Sequence, residues 1–167
     1  MTLANCITLL RIAATPLILY LFSLEDLDVR WIALVFVLTG LSDILDGRLA
    51  RARNEVTRFG TLIDPLADKL IVLATVISLA RRGSVFQWIA TLLVVKELAM
   101  VVGAGFFLMS KSKITPASNL GKAATVMLYV GITGVILQMT GFMYLVILGV
   151  GISLLAGLDY LRQALQK

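Results

Sequence analysis

Long apolar runs separated by short polar stretches make up almost the whole chain. The first run extends from Leu3 to Leu24, with Arg11 inside it. Glu25, Asp26, Asp28 and Arg30 form a short polar loop, and a second helix is predicted from Trp31 to Arg53. A turn over 54–60 leads to a third helix, from Thr61 to the pair Arg81-Arg82. The fourth is expected over Ser84 to Met109, with Lys96 and Glu97 at its middle, followed by a polar loop that contains Pro116. A fifth runs from Leu120 to Met139, and after a break at Thr140-Gly141 a sixth runs from Phe142 to Leu161. Each run approaches the roughly 20 apolar residues that a bilayer crossing requires. The pattern therefore predicts an all-α integral membrane protein of six transmembrane helices, a single domain over 1–167. No internal repeat is visible, so a transporter-style duplication is not expected.

Composition agrees with the pattern. Of 167 residues 59% are hydrophobic and 15% charged, where a soluble domain carries about 25% charged residues. Mean hydropathy is +0.96. Arg11 lies within the first apolar run, with no small-residue cleavage site after it, so that helix is expected to be retained and not removed as a signal peptide. Histidine is absent and Cys6 is the only cysteine. That excludes an internal disulfide, a histidine-bearing triad and a thiolate zinc cluster.

The net charge of +5 carries more information in its distribution than in its total. Arg48, Arg51, Arg53 and Arg58 surround the connection between the second and third helices. Lys111, Lys113 and Lys122 surround that between the fourth and fifth, and Arg162 and Lys167 follow the sixth. Basic loops face the cytoplasm, so both termini and these connections are expected on the cytoplasmic side of the cell (inner) membrane. Only Arg81-Arg82 runs against the rule. No nucleic-acid partner is expected.

Four aspartates stand out against this background. Asp43 and Asp46 are three apart and Asp64 and Asp68 four apart, so on helices each pair shares a face. A charged side chain near the centre of a membrane helix costs roughly 2.5–3.5 kcal/mol to insert, and four together imply a joint purpose. Hard oxygen ligands suit Mg²⁺, Mn²⁺ or Ca²⁺. Gly47 directly after Asp46 permits close approach of a ligand or a backbone. Gly60 is expected to end the turn before the third helix, and Arg51 has the planar fork that grips phosphate. A capping box at Thr61 and Asp64, with Pro65 in the first turn, would explain Asp64 alone and leaves the other three unaccounted for. Arg48, Arg53 and Arg58 are assigned to anionic headgroups, and Gly131, Gly134, Gly149 and Gly151 to close helix packing.

The full pattern, D-x-x-D-G-x-x-A-R-x8-G-x3-D-x3-D from Asp43 to Asp68, resembles the signature of the CDP-alcohol phosphotransferase family at all eight defined positions. The resemblance extends to the six-helix plan. It implies transfer of a substituted phosphate from a CDP-linked donor to an alcohol, with release of CMP, at the cytoplasmic end of helices 2 and 3. It implies that Asp43, Asp46, Asp64 and Asp68 hold one or two Mg²⁺ or Mn²⁺ ions, and that Asp68 also acts as general base. Gly47, Arg51, Thr57 and Gly60 fall at positions tied to the CDP donor. Asn5, Thr8 and Arg11, spaced to share one helix face, resemble the stretch by which lipid-synthesising members touch the same diphosphate; otherwise they cap the helix and snorkel. A homodimer is implied by the resemblance as well.

Within the family, the N-terminal motif, the run from Phe59 to Lys69 and Gly121-Lys122-x-x-Thr125 look most like the bacterial phosphatidylglycerophosphate synthase group. Its substrates are CDP-diacylglycerol and sn-glycerol 3-phosphate. Lys122, and more weakly Lys96, are the acceptor-binding candidates, with an internal Lys96–Glu97 ion pair as the structural alternative. Lys96-Glu97 stands where that group has Arg-Glu, which leaves phosphatidylglycerol, the acceptor of cardiolipin synthases, and inositol phosphate as other acceptors. From the carboxylates alone, a cation channel or transporter and an intramembrane prenyltransferase also come into view. The first does not need Gly47, Arg51 and Gly60 at these spacings, and the second carries its acidic motifs on well-separated helices.

Overall fold

The computed structural model describes the backbone of residues 3–53, 58–109 and 119–165, and the side chains of 12–42, 69–100, 120–159 and 162. Six α-helices occupy the described residues: α1 Leu3–Ser23, α2 Val29–Arg53, α3 Arg58–Arg81, α4 Gln87–Met109, α5 Asn119–Ile136 and α6 Phe142–Leu165. The chain forms two compact units, one up to Ser84 and one from Val85.

In the first unit α1 packs against both α2 and α3, and α2 touches α3. Ile18 on α1, Ile32 and Phe36 on α2, and Ile71 and Val76 on α3 are fully buried. Three buried hydroxyls described in this unit are satisfied within their own helices. Thr39 donates to the carbonyl of Phe36, Thr75 to that of Ile71 and Ser78 to that of Ala74, each within 2.8 Å. A bilayer demands this, because no water is at hand to take an unmet donor.

Asp28 caps α2. Its Oδ1 accepts the N–H of Arg30 at 2.9 Å and its carbonyl accepts that of Trp31 at 3.0 Å, so the helix starts two residues before the Trp31 expected from hydropathy. At the far end of the unit α3 closes in a Schellman motif: Ser84 N–H reaches the Leu79 carbonyl, Gly83 N–H the Ala80 carbonyl, and Gly83 takes φ +73°. Arg82, at this terminus, reaches back to α1. Its Nη2 donates to the carbonyls of Phe22 at 2.5 Å and Leu24 at 3.2 Å, and its guanidinium carbon lies 5.2 Å from the centre of the Phe22 ring. The basic residue that broke the charge rule is thus occupied in capping a neighbouring helix.

In the second unit α6 packs along α5 and also touches α4. Glycine allows the α5–α6 approach. A Cβ at Gly131 would sit 3.0 Å from the backbone nitrogen of Val146, one at Gly149 3.3 Å from that of Leu128, and one at Gly134 would overlap the Phe142 ring. Gly151 meets nothing and is exposed, so its assignment to helix packing is corrected: it faces outward on α6. Gly134→Ala is expected to cost about 1–3 kcal/mol by overpacking, read as a lower unfolding temperature in detergent, whereas Gly151→Ala leaves that temperature unchanged or raises it. The α5 terminus repeats the Schellman pattern through Met139 N–H to the Gly134 carbonyl and Gln138 N–H to that of Val135, with Gln138 in the left-handed region at φ +57°.

Helices of 18 to 25 residues are about 27–38 Å long, enough for a hydrocarbon core of about 30 Å. Among the described residues one apolar stretch of 18, Phe142–Asp159, meets the length and composition for a crossing. Ile12–Ser23, Val29–Ser42 and Leu120–Ile136 are shorter apolar helices. Large aliphatic side chains are exposed along the helix bodies, among them Leu34 and Leu38 on α2, Val95 and Leu98 on α4, and Leu148 and Leu155 on α6. Lipid accommodates such a surface and water does not.

Candidate active site

The acidic pattern falls on two consecutive helices of the first unit. Asp43 and Asp46 lie in the second half of α2, and Asp64 and Asp68 in the first half of α3. Residues 54–57 join the helices, a link short enough to make them antiparallel neighbours. At 1.5 Å per residue, Asp46 lies about 10 Å along α2 from its last residue and Asp64 about 9 Å along α3 from its first. Asp43 and Asp68 each lie about 15 Å from those same ends. Counted along their own helices, Asp46 and Asp64 therefore stand at similar distances from the α2–α3 connection, as do Asp43 and Asp68. A hard divalent cation fits such a donor set, carboxylates contributed by two adjoining helices. The side chains of 43–68 lie outside the described ones, and among those described no cluster of three or more acidic or metal-ligating groups occurs.

Two local expectations change. Because α3 starts at Arg58, Gly60 is its third residue and does not end a turn. For the same reason Thr61 and Asp64 lie inside the helix and form no capping box, and Pro65 lies beyond the first turn. That proline lacks the N–H that would bond the Thr61 carbonyl, while α3 runs on unbroken past it to Arg81. Gly47 and Arg51 are on α2 with the first aspartate pair, and Asn5, Thr8 and Arg11 are on α1 at spacings of three. Thr57 lies outside the described residues.

The acceptor candidates are both in the second unit. Lys96 is near the middle of α4, and its Nζ lies 2.6 Å from Oε1 of Glu97. The two side chains are only 14% and 11% exposed, and the Lys96 stem lies 3.9 Å from where a Gly157 Cβ would be. The ion pair is thus made, as one of the two alternatives expected. Adjacent residues on a helix ordinarily point apart, so burial holds this contact: a lone charge at that depth is far costlier than a pair. Lys122 is the fourth residue of α5 and exposed. A cation in a first helical turn opposes the helix dipole; an anion there is favoured by the dipole and the ammonium together. Thr125, one turn on, donates its hydroxyl to the Gly121 carbonyl at 3.0 Å. The structural role of Arg82 is one that sequence missed, since its partners lie 58 and 60 residues away, beyond any local signal.

Comparison with known proteins bears on the same residues. A family model described as CDP-alcohol phosphatidyltransferase matches residues 1–155. The chain is 34% identical to a cardiolipin synthase (CMP-forming) of Streptomyces coelicolor over 75% of its own length, a match that spans 60% of that protein. It is 39% identical to a CDP-diacylglycerol–glycerol-3-phosphate 3-phosphatidyltransferase of Rickettsia bellii, over 74% of this chain and 68% of that one. With the protein of the same name from Rickettsia typhi the identity is 36%, over 88% of this chain and 84% of the other.

Proposed function

The chain belongs to the CDP-alcohol phosphatidyltransferase family, a family of membrane-integral enzymes, and from this we propose that it transfers a phosphatidyl group from CDP-diacylglycerol to sn-glycerol 3-phosphate. The products are phosphatidylglycerophosphate and CMP. One observation carries the proposal: the eight-position pattern lies across α2 and α3 inside the region that the family model matches. The match also crosses the boundary between the two units, in support of one functional domain over 1–167. Relatives named for the glycerol-phosphate reaction share more of their length with this chain than the cardiolipin synthase does, which favours that acceptor over phosphatidylglycerol. Inositol phosphate has no comparable support. Family membership sets aside the cation channel and the prenyltransferase.

Asp43, Asp46, Asp64 and Asp68 would hold the metal. Bound there, one or two Mg²⁺ or Mn²⁺ ions supply the positive charge that a departing phosphate needs. Asp68 takes the proton of the acceptor hydroxyl. The oxygen so freed bonds to the phosphorus next to the diacylglycerol as the phosphorus–oxygen bond to CMP breaks. Arg51 grips the leaving phosphate. Gly47 and Gly60 let the donor lie close to the backbone, while Thr57, Asn5, Thr8 and Arg11 complete its contacts. Six crossings put both termini on one side, and the basic connections make that side the cytoplasm of the cell (inner) membrane, where the donor nucleotide is reached. The enzyme acts as a homodimer by the family resemblance.

The test is to supply purified protein with CDP-diacylglycerol, Mg²⁺ or Mn²⁺ and one acceptor at a time, and to identify the lipid by mass spectrometry. Phosphatidylglycerophosphate from glycerol 3-phosphate is expected. Cardiolipin from phosphatidylglycerol, with nothing from glycerol 3-phosphate, would replace the acceptor and keep the reaction. We assign the acceptor phosphate to Lys122, and Lys96 more weakly. Lys122→Ala should raise the acceptor KM by roughly 10-fold to 100-fold, the equivalent of one charge-assisted hydrogen bond, with the donor KM little changed. Equal shifts in both constants would make Lys122 structural.

A further inference from the structure

Arg82 joins two helices on which the proposed donor site draws. Its Nη2 donates to the carbonyls of Phe22 and Leu24, and its guanidinium lies over the Phe22 ring. The C-terminal ends of α1 and α3 therefore meet, and because the two helices also pack against each other they run parallel. Four residues before the contact α1 buries Ile18 and α3 Ser78; eight before it they bury Ala14 and Ala74. The register set at the cap is thus kept along the described interface. Both helices continue unbroken toward their N-termini, α1 through Pro16 and α3 through Pro65. Counted along the helices, Thr8 lies about 21 Å from Phe22, and Asp68 about 21 Å from Arg82. Asn5 and Asp64 lie about 26 Å and about 27 Å from the same two residues.

Apolar packing alone fixes such a register poorly in a bilayer, because lipid tails compete on equal terms with the side chains of another helix. Directional polar contacts fix it better. The hydroxyls of Thr39, Thr75 and Ser78 turn to carbonyls of their own helices, so their protons serve those helices alone. Arg82 instead ties one helix to another: its charged fork reaches two carbonyls at the C-terminus of α1, where the helix dipole favours a cation. We propose that Arg82 is a positioning residue for the donor site. It holds α1 at the axial register that brings Asn5 and Thr8 alongside the turns of α3 that carry Asp64 and Asp68. The proposal rests on the reading of Asn5, Thr8 and Arg11 as donor contacts given above. A slip of α1 by one turn, about 5.4 Å, would carry those residues past the aspartates they are meant to work beside.

A distance along the pair reads the register directly. Cys6, on α1, is the only cysteine, and Arg81→Cys supplies a second at the exposed last residue of α3. Dipolar spectroscopy between spin labels at these positions should give one narrow distance in the otherwise unaltered full-length protein. Arg82→Ala should shift or broaden it, a full turn of slip moving it by up to about 5 Å. Arg82→Lys, whose ammonium can still donate to a carbonyl, should recover most of the original distance. In unlabelled protein Arg82→Ala should raise the KM for CDP-diacylglycerol by roughly 10-fold to 100-fold, the scale on which a small misplacement acts. The acceptor KM should stay unchanged, and Arg82→Lys should restore the donor KM. An unchanged distance in Arg82→Ala, or a lower kcat with the donor KM unaltered, would overturn the proposal. If Arg82→Ala does not fold, Arg82→Gln takes its place under the same expectations. Absence of CMP from the unaltered protein would overturn the enzymatic reading instead, and the distance would still report the register.

Discussion

Asp68→Asn is expected to abolish CMP release while CDP-diacylglycerol still binds. The substitution keeps the shape of the side chain and removes its capacity to take a proton. General bases contribute typically 10²–10⁴-fold to rate, so a loss of about that size in kcat is predicted, with a small change in donor affinity. Three other aspartates of the pattern remain to hold the metal that anchors the donor. Turnover equal to that of the unaltered protein would remove Asp68 from the role of base. Loss of donor binding together with turnover would make it chiefly a metal ligand. Single-turnover CMP release and equilibrium binding of a donor analogue separate the three results.

A still larger effect is expected from removing divalent metal. Four carboxylates sharing one site, as proposed, repel one another and the donor's diphosphate unless positive charge lies among them. A chelator should therefore take CMP release to background, and Mg²⁺ or Mn²⁺ should restore it. The loss should exceed that in Asp68→Asn, because donor binding and bond breaking are affected together. Full activity in excess chelator would leave the four aspartates without a shared task. Ca²⁺ can occupy oxygen ligands at longer bond lengths and in looser geometry, so poor activity with Ca²⁺ would indicate that the site is built for the smaller ions.

What could be seen in the sequence depended on the range of the interaction. The six helices were legible because apolar runs of that length admit few other structures, and the acidic pattern because its spacing is local. The start of α3 was misplaced because Gly60 and the Thr61–Asp64 pair mimic a turn and a cap, although the helix already begins at Arg58. Gly83 takes the left-handed conformation that glycine favours. Gln138 takes the same conformation with a residue type that carries no such signal. Gly131, Gly134 and Gly149 met neighbours and Gly151 did not: four glycines looked alike until the facing helix supplied the difference. The Arg82 cap on α1 could not be read from its neighbours, since its partners are remote in the chain.

The central claim is that carboxylates from α2 and α3 converge on one cation site, and Mn²⁺ binding tests it most directly. Bound and free ion would be counted by electron paramagnetic resonance in the full-length protein with Asp46→Asn and, separately, Asp64→Asn. Either substitution should weaken Mn²⁺ binding by at least about tenfold, which corresponds to about 1.4 kcal/mol. Unweakened binding in one of the two variants would contradict the claim, because a site shared between the helices cannot ignore the loss of a ligand from either.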